Sequence, residues 1–63
     1  MTNGQRAGAR RGLRGYEARA VESETGLRIT LGANYRDVTV SREMTADEIE
    51  KAVRVACIQL TNG

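Results

Sequence analysis

The chain changes character at Gly15, and that change restricts what it can fold into more than any motif does. Met1 to Gly15 holds arginines at positions 6, 10, 11 and 14, glycines at 4, 8, 12 and 15, and no acid, so it carries +4. The residues after it carry six basic and eight acidic groups, a net of −2. A run of glycine, arginine and small polar residues buries little apolar surface and reads as a flexible basic arm over residues 1–15. Residues 16–63 then form one small domain. A chain of 63 residues hides only about 60% of the surface its unfolded form exposes, and such a core supplies roughly 3–5 kcal/mol. A contact with a second copy or another protein is therefore expected.

After Gly15 the pattern alternates with the period of a strand: Tyr16, Ala18 and Ala20 on one side, Glu17, Arg19 and Val21 on the other. Ser23-Glu24-Thr25-Gly26 supplies a hairpin turn, and Leu27, Ile29 and Leu31 alternate with Arg28 and Thr30 in a second strand. Gly32-Ala33-Asn34 marks another reversal, and Tyr35 to Arg42 follows as a third strand with Val38 and Val40 on the side of Leu27 and Ile29. Thr45-Ala46-Asp47-Glu48 is a capping box, and Asp47, Glu48 and Glu50 suit the positive end of a helix dipole. Ile49, Ala52, Val53, Ala56 and Leu60 recur every three or four residues, and Thr61-Asn62-Gly63 provides a stop. The expected fold is α+β: a three-stranded antiparallel sheet packed on one face by a C-terminal helix, β-β-β-α, behind the arm.

Composition narrows function mainly by exclusion. The single cysteine, Cys57, permits no internal disulfide, and without histidine the usual zinc ligand sets cannot be assembled, so no metal or cofactor is expected. Cys57 lies at the edge of the apolar helix stripe, where a small buried thiol in a reducing compartment is the ordinary role. No apolar run has the length of a signal-peptide core or a membrane span, so a cytoplasmic protein with no membrane contact is expected. The carboxylates have ready explanations as helix-start and sheet-face charges, which leaves no catalytic set and a non-enzymatic protein.

Binding chemistry remains. The face of the sheet away from the helix should present Glu17, Arg19, Val21, Arg28, Thr30, Tyr35, Asp37 and Thr39, with Ser41 at its end, a mixed polar surface. On the helix, Val55 and Ile58 project roughly 180–240° from Ile49 at about 100° per residue, with Lys51 and Arg54 as a polar rim. Arg19, Arg28, Tyr35, Asp37, Lys51, Arg54, Val55 and Ile58 are thus the candidate protein-contact residues. Arg6, Arg10, Arg11 and Arg14 on a glycine-rich arm, with Arg19 and Arg28 on the sheet, are the candidates for nucleic acid. Four arm arginines on phosphates would give a slope of log K against log salt of about −3.6.

Gly15-Tyr16 opening the first strand, Thr25-Gly26 in the hairpin, Leu31-Gly32 ending the second strand and the helix from Thr45 together resemble the arm-type DNA-binding domain of lambda-like tyrosine recombinases and, more loosely, the AP2-type sheet. That resemblance implies a sheet face entering the major groove, with Arg19, Arg28, Thr30 and Thr39 as contacts beside the arm. Glu17 and Asp37 on the same face depart from it. In size and style the chain is also similar to the very small phage proteins that block host defence, anti-CRISPR proteins among them, and this implies docking on a larger protein or nucleoprotein complex and steric occlusion. The first expectation is such an inhibitor; a DNA-binding module and a structural homodimer are the alternatives.

Overall fold

A computed structural model describes residues 1–63. Helix α1 (Asn3–Leu13) comes first, followed by β1 (Arg19–Glu22), β2 (Gly26–Leu31), β3 (Asn34–Thr39) and helix α2 (Ala46–Asn62). The strands form an antiparallel meander in the order β1-β2-β3. Both hairpins fall where the turn residues place them. The Ser23 amide donates to the Gly26 carbonyl at 2.9 Å. Leu31 pairs with Asn34 around Gly32-Ala33, and Gly32 takes φ 62°, which costs a glycine little.

The N-terminal segment overturns the expectation of a flexible arm. Thr2 and Gln5 form a capping box: the Thr2 hydroxyl accepts from the Gln5 amide at 3.1 Å, and the Gln5 side-chain oxygen accepts from the Thr2 amide at 3.0 Å. The helix docks by its small residues rather than by an apolar stripe. A Cβ at Gly8 would lie 2.8 Å from Ala46 Cα, and one at Gly12 would lie 2.7 Å from the Glu50 carbonyl oxygen and 2.8 Å from Val53 Cβ. The two helices therefore approach to backbone contact, a distance that side chains at these positions would prevent. The matched pairs rise together along both chains, so α1 and α2 run side by side in the same direction. This follows from the alternating path of helix, three strands and helix.

Polar groups fix the junction. Gln5 is buried, and its side-chain nitrogen donates to the carbonyls of Ser41 and Met44, each at 3.1 Å. Those carbonyls belong to the loop that enters α2, so one buried side chain ties the start of α1 to that loop. Arg11 bridges the helices, donating from Nε to Glu50 Oε1 at 2.8 Å and from Nη2 to Asp47 Oδ1 at 3.1 Å. Arg54 donates from Nη2 to the Arg11 carbonyl at 2.9 Å, so a cation from α2 satisfies a carbonyl in the last turn of α1. Arg6 holds Glu22 of β1 at 3.2 Å. The positive charge of the first segment is thus partly spent on the acids of the second.

Helices and sheet enclose a core of Ala9, Leu27, Ile29, Ile49, Val53, Ala56, Cys57 and Leu60. Cys57 is fully buried there. Burial pushes its thiol pKa up, with Arg54 pulling weakly the other way, so the buried, unreactive cysteine read from the stripe fits its surroundings. β1 starts at Arg19 rather than at Tyr16, because α1 ends in a turn that carries Gly15 at φ 89° and bonds the Tyr16 amide to the Leu13 carbonyl at 3.0 Å. Tyr16 packs half-buried against the core from that turn. No helix is long and apolar enough to cross a membrane.

The ion pairs give a pH signature. The Arg11 hydrogen bond holds the Glu50 carboxyl below its ordinary value, Arg6 does the same for Glu22, and Arg28 for Asp37. A carboxyl with a depressed folded pKa stabilises the fold at pH above its unfolded value and loses that contribution as pH falls through the folded one. The melting temperature should therefore be level above about pH 4.5, the ordinary value of the two glutamates, and decline below it. Arg11→Gln should flatten that decline, and an unchanged acid limb in this variant would show that the bridge contributes nothing.

Candidate docking face

Strand register decides what the open face of the sheet carries. Arg28 pairs with Asp37, Thr30 with Tyr35 and with Arg19, and Val21 with Arg28. With both helices on the other face, these side chains have no cover. Arg28 is the centre of the arrangement. Its guanidinium donates to both carboxylate oxygens of Asp37, from Nε at 2.9 Å and from Nη2 at 3.3 Å, and stacks over the Tyr35 ring with its carbon 4.1 Å from the centroid. A bidentate bond and a stacking contact together restrain a long side chain that would otherwise be free. Exposed ion pairs add little to stability, so the consequence here is orientation. Tyr35 is 55% exposed and Val21, opposite Arg28 on β1, is 59% exposed, so an aromatic, an arginine and an aliphatic side chain share the open face. Arg19 flanks them in the exposed β1.

Asp37 thereby changes meaning. Read along the sequence it is an acid on a sheet face; across the strands it neutralises Arg28. Glu17 precedes β1 and is exposed, outside the sheet ladder.

The helix candidates separate into two sides of α2. Arg54 turns toward α1, bound to the Arg11 carbonyl and 3.3 Å from Glu50. Lys51 and Val55 instead line an open groove between α2 and β3, with Val38, Ala52 and Arg36. Val55 and Ile58 are 52% and 42% exposed. This matches their position on α2 away from Ile49, and Val55 borders β3 through that groove. The open sheet face and the exposed side of α2 are thus two separate candidate surfaces that meet at the β3 edge.

The arginines proposed for nucleic acid divide as well. Arg6, Arg11 and Arg28 are held in ion pairs, while Arg10, Arg14 and Arg19 make none. None of them sits on a mobile arm, since the first four belong to α1 or its C-cap. No protein-family model, curated protein or solved structure matches this chain.

Proposed function

We propose that this chain is a non-enzymatic binding protein that docks through its open sheet face on a larger protein or nucleoprotein complex and blocks it by occupying the surface, in the manner of the small phage proteins that disarm host defence. The supporting observation is the fixed Arg28, clamped by Asp37 and stacked on Tyr35, next to exposed Val21. Tyrosine and arginine dominate interface hot spots, and side chains already held in place lose less freedom on binding. A rigid sheet presents them without the ordering cost of a loop.

Nucleic acid draws less from this geometry. Only Arg10 and Arg14 in the first segment lack a carboxylate partner, so phosphate binding through α1 would give a salt slope of about −1.8 instead of −3.6.

A cell that restricts a targeted phage through a CRISPR-type nuclease tests the docking reading. Expression of this chain should relieve restriction, and Tyr35→Ala or Arg28→Glu should return it. Loss of a hot spot is worth about 2 kcal/mol, or roughly thirtyfold in Kd for the complex isolated from those cells. Both side chains are exposed, so far-UV circular dichroism should match the wild type. Unrelieved restriction by the wild type, or equal binding by wild type and variants, would remove this reading.

A further inference from the structure

We propose that β3 pairs with β3 of a second copy of this chain, antiparallel about a twofold axis at Val38, so that two three-stranded sheets become one of six strands. This goes beyond the docking reading and does not depend on it.

The free edge has a defined set of unpaired groups. Leu31 and Asn34 close the hairpin, Leu27 pairs with Val38, and the Val40 amide donates to the Thr25 carbonyl at 3.0 Å. The main-chain groups of residues 34, 36, 38 and 40 therefore face β2. Those of Tyr35, Asp37 and Thr39 point outward from the edge. The opposite edge, β1, is only four residues long and has α1 against it. Exposed strand edges of this kind are templates for pairing.

Symmetry and charge select the register. Outward groups must meet outward groups, so odd residues pair with odd and even with even. Centring the axis on Arg36 sets Arg36 against its own copy, and centring it on Asp37 sets Asp37 against its own copy. Like charges directly opposite are unfavourable. An axis at Tyr35 sets Asp37 against Ala33 in the hairpin turn, and one at Thr39 sets Asp37 against Ser41, beyond the last residue bonded to the β2 side. Pairing about Val38 reaches only to Val40, whose amide still bonds the Thr25 carbonyl. The axis at Val38 puts Val38 opposite Val38 and Arg36 opposite Val40. On the open face it puts Asp37 opposite Thr39, whose hydroxyl can donate to the carboxylate.

The helix-side groove is apolar where that axis passes, lined by Val38, Ala52 and Val55. A second copy set there brings its own Val38 and Val55, which covers a side chain now 52% exposed. The open face is then repeated on one continuous sheet, giving two copies of the Arg28 and Tyr35 platform.

Sedimentation equilibrium of the full chain, wild type and two variants of exposed Thr39, tests this. Thr39→Asp faces Asp37 twice across the axis and should raise the dimer Kd ~tenfold. Thr39→Lys faces the same carboxylate and should lower it. Val38→Cys should form a disulfide-linked dimer on mild oxidation, because directly opposed residues of a non-hydrogen-bonded pair lie about 4.5 Å apart at Cα. Arg36→Cys should not, and buried Cys57 should not compete. A wild type that stays monomeric to millimolar concentration overturns the proposal. So does a dimer in which both Thr39 variants shift Kd the same way, or one that crosslinks through Ile58→Cys but not Val38→Cys. None of these outcomes touches the docking reading, which the Arg28 and Tyr35 variants test separately.

Discussion

A chain lacking residues 2–14 should fail to fold cooperatively, with featureless thermal melts and a far-UV spectrum short of most of the helix and sheet signal. α1 contributes buried Ala9 and half-buried Leu13, and its Gly12 seats directly on Val53. Ala9 and Leu13 also line the same hollow as Leu27 and Ala20. Removing the helix exposes Val53 and Leu27, and each large apolar side chain returned to water costs about 1.5–3 kcal/mol. That sum, about 3–6 kcal/mol for the two, is comparable to the roughly 3–5 kcal/mol that a core of this size supplies. Removing Gln5 also takes its hydrogen bonds from the Ser41 and Met44 carbonyls, leaving Ser41 the Met44 amide at 3.3 Å. A truncated chain that melts cooperatively within a few degrees of the full one would show that residues 16–63 are self-sufficient and that α1 is an appendage.

The glycines of α1 should respond to the same substitution with opposite signs. Gly12→Ala places a methyl group 2.7 Å from a backbone carbonyl oxygen and 2.8 Å from Val53 Cβ, and such overpacking costs about 1–3 kcal/mol. The gain in helix propensity from glycine to alanine, about 1 kcal/mol, does not offset a clash with main chain that cannot rotate away. Gly4→Ala meets only the Thr2 hydroxyl oxygen, at 3.9 Å, and keeps the propensity gain. Thermal melts should thus move down for Gly12→Ala and up for Gly4→Ala, by about 4–8 °C per kcal/mol in a domain of this size. Gly12→Val should unfold the chain. A flexible first segment would leave all three variants at the wild-type melting temperature.

These expectations bear on function because they relocate the positive charge. Arginines on a mobile arm can follow a phosphate chain, whereas those on α1 are fixed in position and half of the six nucleic-acid candidates already hold carboxylates. The charge imbalance between the two segments is better explained as the glue between them. What stays free of internal duties is the sheet face around Arg28 and Tyr35 and the β3 edge.

Much of the sheet and α2 was legible because those elements obey strong local rules. Alternation at Leu27, Ile29 and Leu31, glycine at the turns and the Thr45 to Glu48 capping box each have a short-range cause that tertiary packing did not override. The exposure of Val55 and Ile58 followed from helical geometry alone. α1 was missed because it does not bury an apolar stripe, the usual sign of a helix. It buries glycine, and its partner is backbone rather than side chain. Two signals were nonetheless present: Thr2-Asn3-Gly4-Gln5 has the same capping pattern as Thr45 to Glu48, and Gly4, Gly8 and Gly12 recur at the helical interval of four. The Arg28 to Asp37 pair was also within reach, since a two-residue turn at Gly32-Ala33 sets the register that places them opposite each other. What no local rule could supply was the pairing of Arg11 with Glu50 and of Arg54 with the Arg11 carbonyl, which depends on how far α1 slides along α2.

Amide hydrogen exchange of the full chain reports whether α1 belongs to the folded unit. Amides of residues 7–13 should be protected to nearly the same degree as those of residues 50–60, because the two helices share one core and open together. Exchange of residues 7–13 at the rate of an unstructured peptide, beside a protected α2, would instead make the first segment a free basic arm.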